Sequence, residues 1–274
     1  LTLEKNSNIL AAAREYEKDP HVEYAEPNYI YHTCVIPNDP DFDLQWALNQ
    51  LSDHDIDAPE AWDIETGNKH VVIAIIDTGV DYNHPDLAGN IWINEDEIPD
   101  NGIDDDDNGY VDDIRGWDFV NTTESVWPGE DGTIRDNDPM DFHGHGTHCS
   151  GIVGAITNNS IGIAGVCWNC SIMAVRAGYK GSDGRGHLEN DDSAAAIVYA
   201  VDNGANVISM SWGSYYSSNL IKDALNYAYN NGVVLVAAAG NDNVSTKHYP
   251  AGYDNCLLYT SPSPRDLSTS RMPS

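Results

Sequence analysis

Residues 70–77 read HVVIAIID, an unbroken stretch of β-branched apolar residues that ends on an aspartate. A run of this length without polar alternation suits a strand covered on both faces, as in a parallel sheet. Shorter runs of the same kind occur at 171–176 and 207–210, and VVLVAAA at 233–239 closes the set. Between them, residues 146–156, 191–203 and 219–231 carry small and apolar side chains at helical spacing. Asn203-Gly204 and Asn231-Gly232 end two of these stretches with C-cap chemistry. Alternation of strand and helix predicts an α/β fold, a mostly parallel sheet with right-handed crossovers and helices on its faces. In such folds functional groups gather beyond the carboxyl ends of the strands.

Three segments stand outside the alternation. Residues 1–33 read as a separate leader. Within 94–113, half the positions are acidic and interleaved with Asn and Gly, too charged for a packed element. Residues 257–274 turn to Ser, Pro and Arg and are expected to be a non-native tail. The acidic bias is general: 13 Lys and Arg against 44 Asp and Glu give a net charge of −31. A surface of that sign repels phosphate backbones and anionic lipid, so no nucleic acid and no membrane partner is expected, and cations are the natural ligands. The longest apolar run, 194–201, is far too short to span a bilayer. The chain starts Leu1-Thr2-Leu3 without a signal sequence and is expected to be a fragment. Five cysteines make no framework. Cys167-x-x-Cys170 has no second pair at zinc spacing, which leaves a local disulfide or two buried thiols.

Asp77-Thr78-Gly79 places a carboxylate at the end of the first strand. It could be a turn cap, or half of an aspartic protease site, although no second D-T-G or D-S-G occurs and such a site would need a homodimer. The run DFHGHGTH at 141–148 precedes a helix rich in small residues. A histidine at a helix N-terminus is disfavoured as a cation by the dipole, which suits a neutral base. Three histidines also invite a metal reading, but no H-E-x-x-H helix accompanies them. Gly240-Asn241 at the end of the last strand is either turn chemistry or an amide positioned to donate to a developing oxyanion.

Together, VIAIIDTGVDYNHPDL at 72–87, HGTHCSG at 145–151, VISMSWGS at 207–214 and VVLVAAAGN at 233–241 resemble the subtilisin-like serine proteases, in that family's order. The resemblance covers roughly 37–256 and implies a doubly wound sheet with helices on both faces, incomplete at its C-terminus. Asp77 matches the triad aspartate, His145 the general base and Asn241 the oxyanion amide. Ser211, Trp212 and Gly213 match the segment that pairs with substrate backbone and walls the primary specificity pocket, with Ala238, Ala239 and Gly240 opposite. His248 falls near a wall the family often lines with Gly. The family's nucleophile, the Ser of G-T-S-M-A, has no match between Asn241 and Ser274. The longer parent is therefore expected to be an endopeptidase and this chain to be inactive. The alternatives are a non-catalytic, calcium-dependent peptide-binding relative, and a metallohydrolase built on the histidines.

Asp104, Asp106 and Asn108 alternate before Gly109, as in the first half of an EF-hand loop, with Asp112 a fourth candidate. Arg115 stands where an EF-hand carries its Glu, so the match is partial. A second Ca²⁺ site is implied by resemblance alone: Asp86, Asn159, the carbonyls of Thr157, Ile161 and Ile163, and Asp39 from the N-terminal arm. Residues 1–33, above all 22–29, resemble the end of an inhibitory propeptide, with 34–256 the peptidase domain and processing expected between Tyr31 and Pro37. The resemblance further implies a secreted zymogen, acting on peptides or proteins and inhibited by its own propeptide.

Overall fold

A computed structural model describes residues 8–27, 35–52 and 54–259. Two compact units divide the chain, residues 1–34 and 35–274. The described part of the first holds one helix, α1 (Ile9–Tyr16), whose N-cap Asn8 accepts the Ala11 amide at 3.0 Å. Residues 28–34, which include most of the expected processing interval, lie outside the described residues.

In the second unit a 3-10 turn at Phe42–Leu44 precedes α2 (Ala58–Trp62), and strands and helices follow. In chain order it contains β1 (Val72–Asp77), β2 (Gly116–Asp118), α3 (His145–Gly154), β3 (Ser171–Arg176), β4 (Gly178–Lys180) and β5 (Gly186–Leu188). After these come α4 (Asn190–Asp202), β6 (Val207–Met210), α5 (Asn219–Asn230), β7 (Val234–Ala238) and β8 (Leu257–Tyr259). Six of these strands form one sheet in the order β2-β3-β1-β6-β7-β8, every pairing parallel, while β4 and β5 make a small antiparallel ribbon.

The chain enters the sheet at its centre, builds outward through β3 and β2 on one side, and returns to build β6, β7 and β8 on the other. The order thus reverses beside β1, and Asp77 ends that strand. Successive side chains of β1 serve opposite faces. Ala74 and Ile76 join Met173, Ile208 and Leu235 under α4 and α5, whose contributions include Ile197, Tyr199 and Leu225. Ile75 packs with Ile172 and Ala174 on the other face, where α3 adds Cys149 and Val153. Both faces of β1 are therefore covered by helices, which is why its sequence shows no polar alternation. A satellite cluster of Phe42, Leu48, Trp62 and Trp168 fastens the arm preceding β1.

Two sequence expectations change. Leu257–Tyr259 is not the start of a tail: it pairs with β7, Val236 level with Leu257 and Ala238 with Tyr259, so the apolar Leu-Leu-Tyr triplet extends the sheet. The short strand β2 escapes notice because it is only three residues long and two residues separate it from the acidic stretch. Cys167 and Cys170 form a disulfide across three positions. Among the described residues no helix is long and apolar enough to cross a membrane.

Candidate active site

The sheet register fixes where the sequence candidates emerge. Ile75 is level with Ser209, and Ser209 with Val236. Two residues further along three parallel strands, Asp77, Ser211 and Ala238 therefore leave the sheet at one height on its carboxyl edge. Trp212 is held there by its indole N–H, which donates to the Ile76 carbonyl at 2.8 Å. This bond pins the segment after β6 against the end of β1.

His145, the first residue of α3, donates from Nδ1 to Asp77 Oδ1 at 2.7 Å. Asp77 is 1% exposed, whereas the His145 side chain is 46% exposed, so the pair has a dry anchor and a wet working end. Asp77 Oδ1 also accepts the Thr78 amide at 2.8 Å. Against the expectation of a neutral ring at the helix start, the imidazole is pushed up to about 10, first by its hydrogen bond to Asp77 and then by the Cys149 thiol 3.9 Å away, with partial burial opposing both. The close approach of helix to strand depends on Gly146: a Cβ there would lie 2.1 Å from the Gly79 carbonyl oxygen and 3.0 Å from the Asp77 Cβ.

Asn241 lies exposed beyond β7 on the same edge of the sheet. Between the segments after β6 and β7 sits His248, whose Nδ1 donates to the Ala238 carbonyl at 3.2 Å. Its ring is so close to the backbone that a Cβ on Gly213 would meet it at 2.4 Å and one on Gly240 at 3.3 Å. Imidazole thus fills the gap between the two predicted pocket walls. Tyr215 packs edge-on against the same ring. Beside them a cavity of about 250 Å³ is bounded by Gly186, Leu188, Trp212, Gly213, Ile221 and Tyr249.

One feature of this edge has no clear signal in the sequence. Arg176, level with Asp77 on β3, is buried and bonded to Asp118, Glu130 and the Asp131 carbonyl. Burial pushes Asp118 up to about 8 even though the Arg176 guanidinium opposes the rise. Two carboxylates around one buried cation tie the 130–131 loop to the sheet end, an arrangement that only tertiary contacts between distant segments reveal.

The carboxylates of the acidic loop come together in a grouping other than the one the spacing suggests. Glu97, Asp106 and Asp113 bring one carboxylate oxygen each to within 4.8 Å of the others. Of the three predicted carboxylates, Asp106 belongs to that group and Asp104 and Asp112 do not. Asp104 accepts the amides of Asn108 and Gly109, and Asp112 those of Asn101 and Gly102. Asn108 uses its amide group as a donor to Asp106 and Asp113. Burial raises the Asp113 carboxyl, against the Tyr199 hydroxyl that donates to it at 2.6 Å. Three mutually close carboxylates of oxygen-only chemistry fit a hard divalent cation. In the second predicted set, Asp39 and Asp86 both bond to the 158–163 loop. Asp39 accepts the amides of Asn158 and Asn159, and Asp86 accepts the Asn159 side chain at 2.7 Å and the Ile163 amide at 3.1 Å. Both carboxylates are buried, and Thr157, Ile161 and Ile163 belong to the loop they hold. All of these printed partners are N–H groups, so the loop is held through the two carboxylates themselves.

A carboxylate-oriented histidine at the switch point of a parallel sheet has the arrangement of the Asp–His part of a hydrolase triad. The comparisons agree with that class. The Subtilase family profile matches residues 68–261, and the chain belongs to that family. It is 39% identical over 253 residues to the Thermophilic serine proteinase of Bacillus sp. (strain AK1), covering 92% of this chain and 52% of that protein. It is also 39% identical to Thermitase of Thermoactinomyces vulgaris, covering 85% of this chain and 68% of the relative. The Halolysin-like extracellular serine protease Nep of Natrialba magadii is 36% identical, with 93% and 41% covered. Among solved structures, Sphericase superposes with a TM-score of 0.53 at 32% identity, covering 71% of this chain and 54% of that one. The chain spans about half the length of the first of these relatives.

Proposed function

We propose that the protein is a secreted, calcium-stabilised serine endopeptidase precursor, of which this chain carries the Asp and His of the triad. The observation that carries the reading is the 2.7 Å bond from the half-exposed His145 to the buried Asp77 at the sheet's switch point. His145 takes the proton of a serine hydroxyl as that oxygen attacks the peptide carbonyl, and returns it to the leaving amine. Asp77 holds the ring with its Nδ1 proton inward and stabilises the imidazolium. Asn241 donates to the tetrahedral oxyanion. Substrate backbone lies along Ser211–Gly213, with the facing wall at Ala238, Ala239 and Gly240 and His248 between them. An imidazole that holds its second proton to about 10 offers the base form in growing amounts as the solution turns alkaline, so the rate rises with pH over that range.

Calcium at Glu97, Asp106 and Asp113, and at Asp39, Asp86 and the 157–163 loop, would tie down irregular segments. No chemical step runs through it. The first unit is proposed as the end of an inhibitory propeptide, and the extracellular relative supports secretion. The 274 residues alone are proposed to be inactive, because no G-T-S-M-A nucleophile follows Asn241 in them. The test is a fluorogenic peptide assay on the complete protein. Cleavage abolished by phenylmethylsulfonyl fluoride supports the reading; peptide binding without cleavage would instead establish a non-catalytic module, and robust cleavage by the 274-residue chain would overturn the inactivity.

A further inference from the structure

The residues that bear the Asp77–His145 pair lie on separate elements, and one carboxylate joins them. Asp141 Oδ1 accepts the Thr78 hydroxyl at 3.0 Å and the amides of His143 and Gly144 at 2.9 and 2.8 Å. Its Oδ2 accepts both the hydroxyl and the amide of Thr147, at 2.7 and 2.9 Å. Each threonine in turn accepts a backbone amide from the opposite element. Thr78, just past β1, takes Gly146 of α3 at 3.0 Å, and Thr147 of α3 takes Asp81, beyond β1, at 2.8 Å. The result is a reciprocal clasp with Asp141 at its centre. It also supplies acceptors for two otherwise unpaired amides in the first turn of α3, Gly146 and Thr147. The Gly144 preceding the helix offers no side chain for that task.

We propose that Asp141 is a positioning residue for the Asp77–His145 pair: its carboxylate sets the distance between the end of β1 and the start of α3, and hence the bond between the two catalytic side chains. The proposal rests on the reading of that pair as catalytic, but its geometry can be tested without turnover. The clasp explains why D-T-G places a threonine one position after Asp77 and H-G-T-H one two positions after His145. It also explains why a carboxylate is needed: two oxygens receive five donors from two elements, and an amide would offer one oxygen and turn two further N–H groups toward a threonine. Thr78 is buried and Asp141 half-buried, so water does not readily replace these bonds.

The 274-residue chain is labelled with ¹⁵N-histidine, and the exchange of the His145 Nδ1 proton with water is followed by NMR, with Asp77→Asn identifying the signal. The groups facing that ring are Asp77, Cys149 and His143, and all are unchanged in the Asp141 variants. Asp141→Ala and Asp141→Asn should each speed exchange roughly ten- to a hundredfold. Thr78→Val and Thr147→Val, which each release one arm, should speed it less, and Thr78→Ser and Thr147→Ser, which keep the hydroxyl, should restore the parent rate. Unchanged exchange in a folded Asp141→Ala chain would overturn the proposal. Should that variant fail to fold, unchanged exchange in both valine variants would do the same. If exchange responds as expected while the complete protein cleaves no peptide, the clasp stands and the peptidase reading falls.

Discussion

The junction of β1 with α3 and the acidic loop at 94–113 both collect charged side chains, but they collect them in different ways. At the junction, a strand end and a helix start deliver one carboxylate and one imidazole, and the sheet register decides which residue stands at the edge. In the loop no register operates. Asp100, Asp107 and Asp112 adopt left-handed φ values of 60°, 57° and 54°, each a change of chain direction that cancels the alternation of side chains. Carboxylates sixteen positions apart, Glu97 and Asp113, therefore meet, while Asp104 and Asp112, two of the three partners that spacing offers Asp106, bind backbone amides instead. Regular elements convert spacing into position; irregular ones do not.

The sharpest test of the first region is Asp77→Asn. In the complete protein the asparagine should hold the wrong imidazole tautomer and lower kcat by about 10⁴, as in the serine-protease template. In the 274-residue chain, the same change should bring the His145 titration down from about 10 toward the usual 6.5, read by NMR. A titration left near 10 would mean that Asp77 does not govern the ring, and the site assignment would fail with it.

What could be read beforehand follows the same division. Strands at 72–77, 171–176 and 207–210 were legible because burial on both faces forces continuous Val and Ile, and three helices because small and apolar residues recur at their spacing. Asp77 and His145 followed from those elements and from the family's motif order. Asp141 and Arg176 did not: Asp141 was visible as part of the histidine run, but its role exists only when Thr78 and Thr147, sixty-nine positions apart, face each other. Arg176 reads as the last residue of an apolar strand and gives no hint of Asp118 or Glu130, fifty-eight and forty-six positions upstream. Leu257–Tyr259 was misread because the Ser/Pro-rich composition after it dominated the window, whereas three residues suffice to add an edge strand.

The second region can be tested by metal linkage. Calcium at a hundredfold excess over its dissociation constant is worth about 2.7 kcal/mol to a folded chain, so chelation with EGTA should lower the melting temperature visibly. Glu97→Gln should remove more of that increment than Asp104→Asn, since Glu97 belongs to the three-carboxylate group and Asp104 spends both oxygens on Asn108 and Gly109. The reverse ranking would favour the spacing-based ligand set. No response to chelation in either chain would remove calcium from the loop.

The smallest effect expected is on stability against pH, and it separates the two regions by sign of charge. His145 has a folded-state value of about 10, above the 6.5 of a free imidazole. Its contribution to stability is therefore complete below about pH 6.5 and is lost as pH climbs through about 10, because the unfolded chain has then given up the proton that the folded chain still binds. Half exposure of the ring screens the interaction, so the decline should be shallow and should weaken further in salt. Urea denaturation at pH 6.5, 8 and 10 should show stability falling in the parent chain, with a smaller fall in His145→Gln, which keeps a polar group of similar reach but cannot titrate. A parallel decline in both chains would assign the effect to mutual repulsion among the 44 acidic residues as the last positive charges are neutralised, and not to the bond between α3 and β1.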